Sequence, residues 1–424
     1  MKRSIAIIAT LDTKGDQVEY IKRLMEEAGH NIIVIDVGIL GEPSLQPTIS
    51  HDQVARAAGT SLREIIALNW ELKAIEKMAE GACNIVKGLC SDDKLNGVLA
   101  FGGSMGTSVA LRVMKVIPIG IPKLILSTIA FSPAINPDML CAGLMMLPWV
   151  GGLWGMNSLC RQSLETAAGA ISGAAKLYDE KHVATKKKLV AVTGIGWSVK
   201  HYMGRLKPGL EERGYEVAMF HATGMSSRTL EQTIYEGSIA AVLDLGVGLE
   251  LLNYVAATAY SPGDHRLEAA GKMGIPQIVG LGTLGGFGVF LWGADKPVPA
   301  RYKGRVVPRP HNYLLTQVGA TPRQQAAVGR LMAEKLNMAT GPAAVVIPAD
   351  RFRDSEIPKG AIPAGSNPNL GLEAFHKALT RHIKPEVKVI KLDAGESEPL
   401  FVETILSLFD EMMGNASKGQ SLSM

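Results

Sequence analysis

At 424 residues the chain exceeds one ordinary domain, and 47% apolar against 20% charged residues suits a globular protein with two or three sizeable cores. A net charge of +4 is small for this length and gives no footing for nucleic-acid binding, which needs a clustered basic face. Aromatics are scarce at 5% while glycines number 46, the balance of an α/β protein with many tight strand–helix turns.

In chain order, Lys2-Arg3 precede an apolar run, Ile5 to Leu11. Asp12 and Lys14 cut that run and no small-residue cleavage pattern follows, so it reads as a first strand and not a signal peptide. The loop Thr10 to Gly15 comes next, then a helix carrying Val18, Ile21, Met25 and Ala28 and ending at Gly29. Asn31 to Val37 is a second buried strand closing on Asp36 and Gly38, and this β-α-β opens a doubly wound sheet. Gly41 to Ser61, with Pro43 and Pro47, reads as irregular, a mobile flap. A helix over Asn69 to Gly88 leads to the strand Val98 to Phe101, the pair Gly102-Gly103 and a helix from Thr107 to Met114. Ile121 to Leu126 is the next strand, ending at Ser127-Thr128.

Met139 to Cys160 carries no charge and is long enough to span a membrane. Pro148, Gly151-Gly152 and Gly155 instead predict a buried or interface helix broken by a turn. A small-residue helix, Ser163 to Lys176, ends at a polar linker over 178–188. These boundaries place a nucleotide-binding N-terminal domain at 1–180, a second domain at 186–414 and a disordered tail at 415–424.

The second half restarts the pattern. Strands are predicted at Leu189 to Thr193, Glu216 to Phe220, Ile239 to Leu243 and Ile275 to Val279, with helices to Gly214 and from Thr229. Glu26 to His30 parallels Glu211 to Tyr215, and Ile121-Pro122 parallels Ile275-Pro276. Two Rossmann-like doubly wound lobes with mainly parallel sheets and a cleft between them follow. Thr321-Pro322-Arg323-Gln324 is a capping box with proline at the first helical position. Asn367-Pro368-Asn369 reads as surface loop, Ala343 to Ile347 and Val387 to Leu392 as strands, and Val402 to Met413 as the final helix.

The strand–glycine–helix passage Asn96 to Thr107 leaves several N–H groups facing one point, with the helix dipole behind them. It suits a phosphate or carboxylate, or is only a tight turn packing a helix on a sheet. It is neither a P-loop, having no lysine before Thr107, nor a dinucleotide G-x-G-x-x-G. Ligands of such sheets bind at the strands' carboxyl ends, where Thr10, Asp12, Thr13, Lys14, Asp36, Gly102, Gly103, Ser104, Gly106, Thr107, Ser127 and Thr128 stand. Lys14 and the glycine turn can neutralise a polyphosphate. Asp12 or Asp36 can take ribose hydroxyls or hold Mg2+ indirectly, or be plain helix-cap and turn residues. In the second lobe His221, Asp244 and Glu250 are the titratable strand-end group, with His221 a general base or a structural histidine.

Ser104, Ser127 and the cysteines give no persuasive nucleophile, and no H-E-x-x-H or Cys/His cluster points to zinc. The basic runs at 186–188 and 301–309 read as solvated linker and loop. Cys83, Cys90, Cys141 and Cys160 show neither ligand spacing nor a disulfide framework, as expected of a cytoplasmic protein.

Six ordered blocks carry a family resemblance: Thr10 to Gly15, Ile35 to Gly38, Gly102 to Thr107, Phe220 to Gly224, Val242 to Leu245 and Arg266 to Gly271. They resemble a family of mostly uncharacterised bacterial and fungal proteins that includes the N-terminal inhibitory domain of the tomato tobamovirus-resistance protein. The resemblance implies two Rossmann-like subdomains, ATP binding in the first, and a tendency to dimerise. It places Thr10, Leu11, Asp12, Thr13 and Lys14, with Gly102 to Thr107, on the nucleotide. Met105 stands where the family usually has glycine, and the segments after Thr128 and from Gly280 to Val289 also depart from its pattern.

The expectation is an ATP-binding cytoplasmic homodimer, with or without Mg2+, binding neither nucleic acid nor membrane. Two alternatives stand beside it. One is an enzyme acting on a small phosphorylated or carboxylated metabolite in the cleft, with His221 and Asp244 as acid–base residues. The other is a metabolite-sensing module.

Overall fold

The computed structural model describes residues 3–152, 154–178, 187–196, 198–258, 260–282, 284, 289–292, 299–302, 309–310, 312–348 and 368–421. The chain divides into two compact units, Met1–Ala184 and Thr185–Met424.

The N-terminal unit runs β1 (Ser4–Ala9), α1 (Leu11–Glu27), β2 (Asn31–Asp36), α2 (His51–Ala57), α3 (Leu62–Ala67), α4 (Glu71–Ser91), β3 (Gly97–Gly102), α5 (Ser104–Met114), β4 (Lys123–Ser127), β5 (Leu144–Pro148) and α6 (Ser158–Leu177). The five strands are parallel in the order β2-β1-β3-β4-β5. β3 and β4 are buried along their whole length, as a parallel sheet covered on both faces requires. On one face lie α1 and α6, through Val18, Ile21, Leu164 and Ile171. On the other lie α2 to α5, through Val54, Ile65, Met78, Val109 and Val113. Each fully buried Ile or Leu in these layers contributes roughly 1.5–3 kcal/mol of transfer free energy.

Two expectations are corrected here. The irregular flap over Gly41 to Ser61 gives way to α2, opened by a capping box. Ser50 Oγ accepts the Gln53 N–H at 3.3 Å, and Gln53 Oε1 accepts the Ser50 N–H at 2.8 Å. The uncharged run Met139 to Cys160 holds β5 and not a broken helix: Leu144 to Leu147 pair in register with Lys123 to Leu126. A long apolar run satisfies its N–H groups equally well against a neighbouring strand, and apolarity alone does not separate the two outcomes. Among the described residues no helix is long and apolar enough to cross a membrane.

The C-terminal unit contains β6 (Leu189–Gly194), α7 (Ser198–Glu212), β7 (Glu216–His221), α8 (Met225–Tyr235), β8 (Ile239–Asp244), α9 (Val247–Val255), α10 (Ala269–Lys272) and β9 (Gln277–Val279). After them come β10 (Val289–Trp292), β11 (Arg309–Pro310), β12 (Leu315–Val318), α11 (Pro322–Leu336), β13 (Ala343–Pro348), α12 (Pro368–His382), β14 (Lys388–Leu392) and α13 (Pro399–Ser421). The main sheet is parallel, ordered β14-β13-β9-β8-β6-β7, and β10-β12-β11 form a small antiparallel sheet. Read from β7, its first five strands repeat the order of the N-terminal sheet. α7 and α13 pack together through Tyr202, Leu206, Phe401 and Ile405. A separate core joins α9, α11 and α12 through Leu249, Leu252, Val328, Met332 and Phe375.

The capping box at Thr321 forms, its hydroxyl accepting the Gln324 N–H at 3.2 Å. Helix α9 had no sequence signal, because Val247 through Asn253 are all buried and leave no polar face to set a period. Pro368 opens α12 where a loop was expected, and proline at a first helical position costs no hydrogen bond. α13 continues past Met413 to Ser421, into the stretch expected to be a disordered tail.

Candidate functional site

Topology alone marks one place in the N-terminal sheet. Neighbouring strands β1 and β3 send their following helices, α1 and α5, to opposite faces. Their carboxyl ends therefore part and leave a crevice, where ligands of such sheets bind. The turn Gly102 to Thr107 stands at it.

Helix α5 starts at Ser104, three residues before the expected Thr107, because Gly103 adopts an extended N-cap conformation (φ −75°, ψ −159°) and its carbonyl accepts the Thr107 N–H at 2.9 Å. Gly103 brings no side chain to cap the helix. Among the described residues no protein group accepts from the N–H of Ser104, Met105 or Gly106. Ser104 and Met105 are exposed. Glycine is required at 102, since a Cβ there would lie 2.9 Å from the Gly106 Cα. Thr107 and Ser127 are wholly buried, their hydroxyls 2.7 Å apart, and Ser127 Oγ also accepts the Ile129 N–H at 3.1 Å. These two expected contact residues pin α5 to the end of β4 and face no ligand. Thr128 is exposed, its hydroxyl oxygen 3.8 Å from where a Gly103 Cβ would lie.

After β1 the chain turns directly into α1, and the expected loop is its first turn, broken at Lys14 (φ −129°, ψ 16°). Leu11 is a core side chain, and its N–H donates to Asp36 Oδ1 at 3.0 Å. The same oxygen accepts the Gly38 N–H at 2.9 Å, while Asp36 Oδ2 faces His51 Nδ1 at 3.4 Å. Asp36 is 1% exposed, so it ties two strand ends together and presents no oxygen to a ribose. Burial pushes its pKa up, against the two N–H bonds and the nearby His51 that favour the carboxylate. Asp12 Oδ2 accepts the N–H groups of Ile39 and Leu40 at 3.0 and 2.8 Å; Oδ1 is buried without a hydrogen bond. Thr10 and Thr13 are not buried and share a hydrogen bond of 2.9 Å between their hydroxyls. Lys14 is half-buried, which lowers its pKa, and its ammonium lies 6.0 Å from the centre of the Trp149 ring. Trp149 packs edge-on against Phe101 at the end of β3, with centroids 5.3 Å apart.

In the C-terminal sheet the corresponding place, between β6 and β8, is filled. Asp244 is 1% exposed, and Arg266 grips both its oxygens at 2.5 and 2.6 Å while the Thr193 hydroxyl donates to Oδ1 at 2.6 Å. Arg266 also reaches Glu250 at 2.9 Å and Glu231 at 3.2 Å. Glu250 accepts the Gly224 N–H and the Ser227 hydroxyl, each at 2.6 Å. Glu231 accepts the N–H groups of Leu267 and Ala269 at 2.7 and 2.8 Å. Burial on its own would lower the Arg266 pKa, but Asp244 and Glu250 outweigh it and hold it above the ordinary arginine value. Glu231 is shifted upward by burial, more than Arg266 and the N–H bonds offset, with Asp244 adding repulsion.

Both Asp244 oxygens are thus buried and engaged, and His221 is exposed at the end of β7, where its backbone N–H donates to Ser226 Oγ at 3.1 Å. The expected acid–base pair is not assembled. Two partners are not among the expected residues: Arg266, which lies on no strand end, and Trp149, which directly follows β5, the strand that stands where a broken helix was expected. Arg266 was visible only as the first residue of a family block.

Models of the Uncharacterised protein family (UPF0261) match the chain twice, the N-terminal domain over residues 3–180 and the C-terminal domain over 187–413. A UPF0261 protein of Brucella suis biovar 1 is 36% identical over 406 residues, covering 96% of this chain and 94% of its own. The ToMV resistance protein Tm-1(GCR237) of Solanum lycopersicum is 29% identical over 261 residues, which is 61% of this chain and 34% of that protein. Among solved structures, the UDP-GlcNAc 2-epimerase of Methanocaldococcus jannaschii in complex with UDP-GlcNAc and UDP aligns over 96% of this chain and 99% of its own at 11% identity. Its TM-score of 0.24 carries no functional argument.

Proposed function

This chain belongs to the uncharacterised protein family UPF0261, and from that premise we propose that its N-terminal domain binds ATP, with the phosphates seated on the first turn of α5. One observation carries the reading: among the described residues, three consecutive N–H groups, of Ser104, Met105 and Gly106, stand without protein acceptors at the crevice between β1 and β3. Such a turn carries roughly half a positive charge from the helix dipole and offers donors already pointed at an anion. Lys14 brings a cation to the neighbouring strand end, and Ser104 and Thr128 add exposed hydroxyls to the rim.

The test uses Met105→Asp, a change at an exposed position. A carboxylate in the first turn stabilises a helix but occupies the charge an incoming phosphate needs. Calorimetry should show ATP binding to the wild type, and a ligand at about 100 times its Kd should add about 2.7 kcal/mol to stability. The variant should keep or raise the unliganded melting temperature while losing about tenfold or more in ATP affinity, which corresponds to about 1.4 kcal/mol. No thermal shift of the wild type at millimolar ATP, or undiminished binding by Met105→Asp, overturns the reading.

A further inference from the structure

At the end of β2 an imidazole stands against a buried carboxylate. His51 is the first residue of α2, and its Nδ1 lies 3.4 Å from Asp36 Oδ2, the oxygen that neither Leu11 nor Gly38 uses. That nitrogen is buried without a hydrogen bond among the described residues, while the side chain is 12% exposed, so water meets the ring away from Asp36. Asp52 Oδ2, on a side chain 56% exposed, is 4.0 Å from Nε2. The Ser50 capping box fixes the helix start, and Ile49, which bridges to Ile35, accepts the Asp36 N–H at 3.0 Å. A carboxylate behind Nδ1 keeps the proton there and leaves Nε2 as the acceptor, as in a general base with its orienting group. Such contacts are long in unliganded sites and tighten around the reactants.

Strand register sets the distance from this imidazole to the phosphate turn. Asp36 pairs with Ala9, and Ile8 with Ala100, so Asp36, Ala9 and Phe101 stand in one row across β2, β1 and β3. Two strand spacings, about 10 Å, separate the ends of that row. Gly102 and the first turn of α5 come directly after Phe101. Between them lies the end of β1, with Thr10 and Thr13, neither of them buried, and Lys14. Helices α2 and α5 pack on the same face of the sheet, so both starts flank one stretch of its carboxyl edge. A triphosphate held on the α5 turn and laid across the end of β1 brings its γ-phosphorus to the His51 side.

We propose that the N-terminal unit hydrolyses ATP, with His51 as the general base. The proposal rests on the ATP reading above and adds the reaction. His51 Nε2 takes a proton from a water whose oxygen bonds to the γ-phosphorus. The bond from that phosphorus to its bridging oxygen breaks, and the electron pair leaves on ADP. Asp36 steadies the imidazolium until the proton passes to solvent and inorganic phosphate departs. Asp36 touches no reactant and is a positioning residue.

The experiment follows phosphate release and nucleotide binding by the full chain with ATP and Mg2+, for the wild type, His51→Ala and His51→Gln. Both variants should lose about 100-fold or more in kcat while the ATP Kd stays within about twofold and the melting temperature is kept. A His51→Ala chain that releases phosphate as fast as the wild type overturns the base. So does a fall in ATP affinity or melting temperature that runs parallel to the fall in kcat, which makes His51 a structural residue. A wild type that binds ATP and releases no phosphate removes the reaction and leaves the nucleotide site standing. One that binds no ATP removes both.

Discussion

Two sheets with the same order of five strands meet opposite fates at the same point. In the N-terminal unit the third strand, β3, passes through glycines into a helix whose first turn is open to solvent at Ser104 and Met105. In the C-terminal unit the third strand, β8, ends on Asp244, which is locked to Arg266, and the helix after it begins with Val247, Gly248 and Leu249 all buried. The Gly246 N–H there is taken by the Thr193 hydroxyl at 2.9 Å. Topology supplies a crevice in both sheets; the side chains decide whether it stays open or is filled by the protein's own guanidinium.

The comparison breaks most readily at Arg266. Removing one partner from a buried ionic group leaves the rest uncompensated, so Arg266→Met should destabilise the C-terminal unit by about 3–5 kcal/mol in urea unfolding. ATP binding by the N-terminal unit should survive. A variant as stable as the wild type would show that the cluster is not what closes this site.

A smaller effect separates the two helix starts. A Cβ at Gly248 would lie 1.9 Å from the Leu281 carbonyl oxygen, whereas one at Gly106 would meet only the Phe101 carbonyl oxygen at 3.3 Å. Gly248→Ala should cost about 1–3 kcal/mol by overpacking. Gly106→Ala should stay within about 1 kcal/mol of the wild type, because the helical gain from alanine offsets the tight contact. Equal melting temperatures for the two variants would erase the distinction between a sealed and an open turn.

The smallest effect concerns acid. His30, in the N-terminal unit, is 4% exposed, and burial, with help from Lys176, lowers its pKa below the ordinary value. Above about pH 6.5 the ring is neutral in both folded and unfolded chains and stability is unaffected. As pH falls through that value the unfolded chain takes up the proton first, so the folded unit loses stability until its own histidine titrates. His30→Leu should flatten this part of the pH–stability curve, as read by denaturant midpoints, and an unchanged slope would assign the acid sensitivity elsewhere.

Much of this frame was legible in the residues. The apolar runs of β1, β3, β4 and β6 have the length of buried strands, with glycines closing β3 and β6, and the Thr321 box announces α11 because capping is local chemistry. The glycine turn at 102–103 pointed to the open site, since steric room belongs to the residue itself. What stayed hidden depended on distant partners. Leu144 to Leu147 became a strand only because Lys123 to Leu126 offered an edge. Asp36 and Asp244 looked alike at strand ends, yet Asp36 is spent on Leu11 and Gly38 and Asp244 on an arginine 22 residues onward. No spacing rule encodes either pairing.

Arg266 draws its acids from three separate segments: Glu231 on α8, Asp244 at the end of β8 and Glu250 on α9. Because one cation answers all of them, none of the four can drift by itself without stranding the others. In descent they should therefore act as a single character, kept together or exchanged together for apolar side chains of similar bulk. A lineage that has lost the arginine should have surrendered its acids as well.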